Sequence, residues 1–196
     1  MALPAYIDAS TGAITDGEAW VGIATTTLGS DTASITFTST DDGQVGDFSQ
    51  YMDLTTIAYW RSTKTGGLDI PWQSLNGNTT AGDYTNQLFY GNGSAVTAES
   101  RGGGSRSIAS YMAAADETAN IFSTTVSTWF DINSGKYKSS LHQNACDLDG
   151  SGYAGMVAST WKNQAAITSI MFTPENGDFL AASRIDLFGV LPRMVA

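Results

Sequence analysis

An Asp-x-Asp-x-Ser-Gly run in the last third of the chain has the spacing that opens an EF-hand calcium loop. Asp147, Asp149, Ser151 and Gly152 fit loop positions 1, 3, 5 and 6 of that motif. The bidentate glutamate that the motif requires at position 12 is replaced by Ala158. The flanking segments alternate as strands do, whereas an EF-hand loop joins two helices. The sequence therefore predicts a hairpin loop here and no metal site.

His142 is the only histidine and Cys146 the only cysteine, so these two residues limit the catalytic chemistry open to the chain. A Ser-His-Asp hydrolase would have to use His142, but no nucleophile-elbow sequence accompanies it. We predict a surface or interface histidine instead. On a strand the two side chains share a face about 13 Å apart, too far for one metal ion. Cys146 is therefore predicted to be a buried structural thiol.

Carboxylates and glycine-rich segments indicate no catalytic or cofactor site. The four glutamates are dispersed and the aspartates fall mostly in turns, so a glycosidase pair is not indicated. The stretch "RGGGSRS", with Arg101 and Arg106, could hold an anion through backbone N–H groups. No strand–loop–helix pattern surrounds it, and a flexible loop is favoured. The sequence predicts a protein that is not an enzyme, with no catalytic residue, cofactor or metal.

The composition argues against nucleic acids and membranes as partners. Charged residues make up 14% of the 196, and the net charge is −10. The nine basic residues are scattered singly, whereas nucleic-acid-binding proteins concentrate them on one face. No apolar run approaches the roughly 18 residues of a membrane span. The first residues lack a signal-peptide pattern, so we expect synthesis in a cytoplasm.

The dominant hydrophobic period is two, which predicts strands. Ile35 and Phe37 share one face of "ASITFTST", and the final strand repeats the pattern up to Gly189. Pro71 confines its segment to a sheet edge or a bulge, because proline cannot donate a ladder hydrogen bond. Only "RSIASYMAAADETA" could form a short helix. Another predicted strand places five residues on one face: Phe122, Thr124, Val126, Thr128 and Phe130.

Short strands separated by Asn-Gly and Gly-rich turns predict an all-β fold. We expect one antiparallel β-sandwich, jelly-roll-like, over residues 25–196, preceded by an extended N-terminal arm over residues 1–24. The arm either packs on a neighbouring molecule or forms a first edge strand with a frayed end. We predict interface contacts for its isolated apolar residues Tyr6, Ile14 and Trp20.

The five tryptophans are dispersed, about one to each predicted strand or arm. Exposed tryptophans stack on sugar rings or anchor protein interfaces, whereas buried ones build a core. Most of them are predicted to be core residues. They are Trp20, Trp60, Trp72, Trp129 and Trp161.

The stretch "GYAGMVASTWKNQAAITSIMFTPENGDFLAASRIDLFGV" resembles the C-terminal signature of a family of tailed-bacteriophage virion proteins. That signature has a strand ending in Trp, an "aITSI" strand, a Gly/Asn loop and a last strand of the form Phe-x-Ala-Gly-Ser-x-x-x-Leu-Tyr-Gly-Ile. Two positions differ, with Ala182 where Gly is usual and Phe188 in place of Tyr. The matching residues are Trp161, Ile167, Ser169, Ile170, Phe179, Ala181, Ser183, Leu187 and Gly189.

Two upstream segments, "TTTLGSDTASITFTS" and "LNGNTTAGDYTNQLFYGNGSA", also resemble the family, so the resemblance spans residues 25–190. It implies a virion structural protein without catalysis. Within that class the chain is similar to capsid decoration (cement) proteins, which are commonly homotrimeric and bind the major capsid protein where capsomers meet. It further implies that extended termini latch neighbouring subunits. The alternatives are a tail or fibre module that binds host-surface glycans and, third, an enzyme acting on polysaccharide.

Deleting residues 1–19 is expected to leave the sandwich folded and to weaken assembly on the particle. The reason is that the deleted residues supply contacts to neighbours and not to the core. Far-UV circular dichroism measures the first effect, and co-sedimentation with particles measures the second. Loss of the β signal in the truncated protein would contradict this prediction.

Overall fold

The computed structural model describes residues 20–191 and the short strand segments Tyr6–Ile7 and Ile14–Thr15. Almost all regular structure is β. No helix within these described residues is long and apolar enough to cross a membrane. The strands are β1 Tyr6–Ile7, β2 Ile14–Thr15, β3 Trp20–Thr27, β4 Ile35–Thr38, β5 Asp53–Trp60, β6 Pro71–Leu75, β7 Tyr84–Gly91, β8 Val96–Gly104, β9 Ser107–Ile108, β10 Ser123–Phe130, β11 Lys138–Asp147, β12 Gly152–Trp161, β13 Ser169–Pro174 and β14 Arg184–Val190.

Two antiparallel sheets of unequal size form the sandwich. The larger has eight strands in the order β3-β14-β5-β10-β11-β12-β7-β8, and the smaller has four in the order β4-β13-β6-β9. β1 and β2 pair only with each other. The predicted all-β, antiparallel sandwich is confirmed. The predicted arm boundary at residue 24 falls inside β3, so residues 20–24 belong to an edge strand of the larger sheet.

Alternating side chains build one main core between the sheets. Ile35 and Phe37 of β4 point inward, as their spacing predicted. Trp60 of the larger sheet lies between Phe172 and Phe179, at ring-centroid distances of 5.5 and 5.6 Å. Buried aromatic contacts of this kind stabilise a sandwich beyond the area they remove from water. Because these rings come from both layers, they fix how the sheets pack.

The Gly189 position has no room for a side chain. A Cβ at Gly189 would lie 2.1 Å from Cδ1 of the buried Tyr51 ring. The Tyr51 hydroxyl donates to the Val45 carbonyl at 2.6 Å, which anchors the ring over β14. The glycine is therefore explained by close packing of a ring on backbone.

A buried guanidinium organises the segment before β10. The Arg61 side chain is almost fully buried. Its two terminal nitrogens donate to four backbone carbonyls at 2.7–3.1 Å, those of Ala115, Glu117, Thr118 and Ile121. The predicted short helix in "RSIASYMAAADETA" is wrong, because this segment is drawn out into β9 and two isolated bridges at Met112 and Ala113. Tertiary contacts override its alanine-rich helix propensity.

The Ala182 backbone adopts a left-handed conformation. Its φ is 70°, in the turn that leads into β14, and its N–H donates to the Leu28 carbonyl at 2.8 Å. A left-handed φ is unfavourable for residues with a Cβ and easy for glycine. Glycine is the residue that the motif in the sequence analysis led us to expect at this position.

Replacing Ala182 by glycine is expected to raise the free energy of unfolding by about 0.5–1 kcal/mol. The relief of left-handed strain exceeds the entropy that glycine adds to the unfolded chain. Ala181→Gly is the matched control, because Ala181 has no positive φ and should only be destabilised. Urea unfolding measures both variants. An Ala182→Gly protein no more stable than the parent would contradict the prediction.

Candidate functional site

The predicted hairpin loop between β11 and β12 is confirmed. The Leu148 N–H donates to the Ser151 carbonyl at 2.9 Å, and Asp147 Oδ1 accepts from the Asp149 N–H at 3.1 Å. Asp149 has a φ of 65°, which Asp tolerates in tight turns. Within the described residues, no three His, Cys, Asp or Glu side chains come together as metal ligands.

The predicted surface position of His142 is wrong, because its side chain is fully buried. Its Nε2 lies 3.1 Å from Gln73 Nε2 and 3.0 Å from Ser140 Oγ. Its ring meets the Trp129 ring edge-on at 5.9 Å. Burial lowers the pKa of His142 to about 3, so the imidazole is neutral. This is a core histidine: its hydroxyl partner Ser140 is buried with it, and no carboxylate is among the hydrogen-bond partners of the ring in the described part of the chain.

Cys146 is buried on the same strand face, and this prediction is confirmed. Burial raises the pKa of its thiol, while a hydrogen bond from Ser123 opposes that rise. A thiol with a raised pKa is a poor nucleophile at neutral pH.

The polar inner faces of β10 and β11 are the most unusual feature of the core. Ser127 is paired with His142, and Thr125 with Asn144. All four residues are buried. One polar atom of each has no hydrogen-bond partner within the described chain: Thr125 Oγ1, Ser127 Oγ, His142 Nδ1 and Asn144 Nδ2.

Two apolar residues of β10 lie on its outer side, although Trp129 of the same strand belongs to the core. Val126 and Phe130 face away from the core, on the face predicted for the alternating set that starts at Phe122. Large exposed apolar patches on water-soluble proteins mark binding surfaces more often than isolated exposed residues do. The outer face of the larger sheet is therefore the candidate functional site.

An outer patch covers four adjacent strands: β3, β14, β5 and β10. Ile57 lies beside Val126 in the register. We define the patch by Trp20, Ile57, Tyr59, Val126, Phe130 and Phe188. Their exposed fractions are 53% for Trp20, 46% for Tyr59, 43% for Phe130, 41% for Ile57 and 38% for Val126, with Phe188 half-buried.

Contacts between aromatic rings hold the outer patch in a fixed shape. Trp20 packs against Phe188 at a centroid distance of 5.8 Å. Tyr59 stacks on Phe122 at 5.1 Å with an interplanar angle of 19°. Rings ordered before binding lose little conformational entropy when a partner covers them. The patch is thus a preformed surface on a rigid sheet.

Charges at the outer patch neutralise one another. Arg184 and Asp186 of β14 form an ion pair at 2.8 Å, and Thr25 also donates to Asp186. Asp53 at the end of β5 accepts the Asp131 N–H at 2.7 Å. A surface without unpaired basic groups does not suit a phosphate backbone. It suits an apolar protein surface.

Trp20 alone among the predicted interface residues can be placed on this patch. The side chains of Tyr6 and Ile14 lie outside the described residues. Of the other tryptophans, three are buried as predicted for core residues, and Trp72 is half-buried. The sequence missed the outer patch because alternation shows which residues share a face, and not which face meets solvent.

Comparisons with known proteins assign no family. No family model matches the chain, and no curated protein matches it. Among solved structures, the chain is similar to a CBM40 module of a Ruminococcus gnavus IT-sialidase bound to alpha2,3 sialyllactose. The identity is 8%, the match covers 90% of this chain and 95% of that one, and the TM-score is 0.26. A likeness of this size supports no conclusion about function.

The buried histidine predicts acid-sensitive stability. The unfolded chain protonates His142 below about pH 6.5, whereas the folded protein keeps it neutral down to about pH 3. The contribution of neutral His142 to the free energy of unfolding is therefore complete above pH 6.5. It falls as the pH is lowered toward 3, by about 1.4 kcal/mol per pH unit. Urea unfolding between pH 6.5 and 5 measures this slope. A His142→Gln variant should lose the slope, and an unchanged slope would contradict the assignment.

Proposed function

We propose that the protein is a virion structural protein, a capsid decoration protein that binds the outer shell of a tailed-phage particle and stabilises it. The observation that carries the proposal is the outer patch. Its apolar and aromatic residues face solvent, while Thr125 and Ser127 lie on the core side of β10 beside Trp129. The resemblance of residues 25–190 to phage virion proteins is the reason for proposing a tailed-phage particle.

A partner protein suits the outer patch for energetic reasons. Covering exposed apolar surface contributes about 25 cal/mol for each Å² removed from water. The rings of Trp20, Tyr59 and Phe130 are of the type that dominates binding energy at protein interfaces. The net charge of −10 disfavours DNA and anionic membranes. We identify the partner as the major capsid protein, bound where capsomers meet.

The start of β3 connects the outer patch to the N-terminal residues. Trp20 is the first residue of β3, an edge strand of the larger sheet, and it lies on the outer patch. Trp20 is thus the point at which the preceding residues are covalently joined to the sandwich. A chain that begins at a docking surface can contribute further contacts to the same partner or to a second copy of itself. A homotrimer at each capsomer junction would use both kinds of contact.

Stabilisation of the shell follows from mass action. A protein that binds the assembled shell but not the separated subunits shifts the equilibrium toward the shell. The function requires no reaction, cofactor or metal. It requires only a rigid fold, a complementary surface and enough copies to cover the junctions.

Ile57→Asp combined with Phe130→Asp is expected to weaken binding to the shell by at least tenfold, roughly the loss of one or two interface hot spots. Both residues are exposed, so the variant should unfold at nearly the parent's temperature. Val96→Asp is the matched control, since Val96 is exposed on the opposite edge strand of the same sheet. Sedimentation of each protein with particle heads stripped of decoration measures binding.

The melting temperature of the stripped heads provides the second measurement. The parent protein and Val96→Asp should raise it, and the double variant should not. If the parent leaves the melting temperature unchanged, the decoration function is rejected. If the double variant binds and stabilises as the parent does, the outer patch is not the contact surface.

A further inference from the structure

The unequal sizes of the two sheets leave part of the larger sheet's inner face uncovered. The smaller sheet ends at β9, which packs against β12 and β7, while β8 lies one strand further out. The inward residues of β8, Glu99 and Arg101, are consequently only half-buried. This overhang forms a cleft on the opposite side of the larger sheet from the outer patch.

Three tyrosines converge in this cleft. Tyr90 of β7, Tyr111 of the segment after β9 and Tyr153 of β12 form a triangle with ring-centroid distances of 5.2, 4.9 and 5.3 Å. We call them the tyrosine cluster. Each of the three is half-buried, so part of each ring remains in contact with solvent.

The backbone holds the tyrosine cluster in place. The residues on either side of Tyr111 are fixed, because Ala109 donates to the Pro71 carbonyl and Met112 to the Asp69 carbonyl, both at 2.9 Å. Gly155 lets β12 and β7 approach closely at Tyr90, since a Cβ there would lie 2.8 Å from Tyr90 Cβ. The rings are therefore ordered without a ligand.

Hydrogen-bonding groups surround the rings and remain available. No described residue bonds the hydroxyls of the tyrosine cluster. Arg101 Nε donates to Glu99 Oε2 at 2.8 Å, and one terminal nitrogen forms an ion pair with the same oxygen at 2.7 Å. The other terminal nitrogen and Glu99 Oε1 have no partner in the described chain. Burial raises the pKa of Tyr111 to about 12, and the charge of Arg101 opposes that rise. The phenol is neutral and can both donate and accept.

We propose that the tyrosine cluster, with Arg101 and Glu99, is a binding site for a neutral saccharide. A pyranose ring has an apolar C–H face that stacks on aromatic rings, and a rim of hydroxyls that pairs with phenol, guanidinium and carboxylate groups. The cluster presents both types of surface within one cleft.

The charges at the cleft favour neutral saccharides over acidic ones. Arg101 is neutralised by Glu99, and Glu175 adds a second negative charge to the surroundings of that arginine. An anionic sugar would meet net repulsion, whereas a carboxylate accepts hydrogen bonds from sugar hydroxyls. This inference does not depend on the outer patch, which lies on the other side of the sheet, and the two are tested separately.

The first experiment applies the full chain to a printed array of neutral and sialylated oligosaccharides. The best neutral oligosaccharide is then titrated calorimetrically into the parent and into Tyr111→Ala, Tyr111→Phe and Arg101→Gln. We expect binding to neutral oligosaccharides only. Affinity should fall at least tenfold in Tyr111→Ala and Arg101→Gln, and less in Tyr111→Phe, which keeps the stacking ring.

Two control variants make the outcome decisive. Tyr137→Ala removes an exposed tyrosine away from the cleft, and Ile57→Asp with Phe130→Asp alters the outer patch. Both controls should bind the oligosaccharide as the parent does. The proposal is overturned if no neutral oligosaccharide binds, if only sialylated ones bind, or if Tyr111→Phe and Arg101→Gln both retain the parent's affinity while folded by circular dichroism.

Discussion

The register of β10 and β11 is the constraint on which the remaining structure depends. Successive strand residues point to opposite faces, so a shift of one residue would exchange the two faces completely. The observed register buries Ser127 and His142 and exposes Val126 and Phe130. A register chosen by hydrophobicity alone would bury the apolar set and remove the outer patch. A polar core is costly unless its groups are paired, and the neutral His142 with its Gln73 and Ser140 contacts meets part of that requirement.

The unequal sheets provide the second organising feature. Eight strands facing four cannot be covered completely, and β8 extends beyond the smaller sheet. The same construction thus creates two surfaces of different chemistry on opposite sides of one sheet. The outer patch is apolar with paired charges, which suits a protein partner. The tyrosine cluster combines rings with free hydrogen-bonding groups, which suits a small polyhydroxylated molecule.

The sequence predicted the fold class because alternation and turn residues act locally. The strand at Ile35 and Phe37, the hairpin loop at Asp149 and the buried thiol of Cys146 all follow from neighbours along the chain. The predictions failed where contacts between residues distant in sequence determine the position of a residue. Pro71 was expected at an edge or bulge, but it is the first residue of β6, which lies between β13 and β9. His142 was expected at the surface because a polar residue was assumed to face solvent.

The candidate sites were harder to predict, since their residues come from strands that are distant in sequence. Tyr90, Tyr111 and Tyr153 lie on three different elements, and only the sheet order brings them together. Family signatures carry some of this three-dimensional information. The resemblance places glycine at 182 and 189, and the structure has a left-handed φ at Ala182 and a ring packed on the backbone of Gly189. Local backbone geometry decides these two positions, whereas the order of the strands in the sheet decides which side chains meet at the candidate sites.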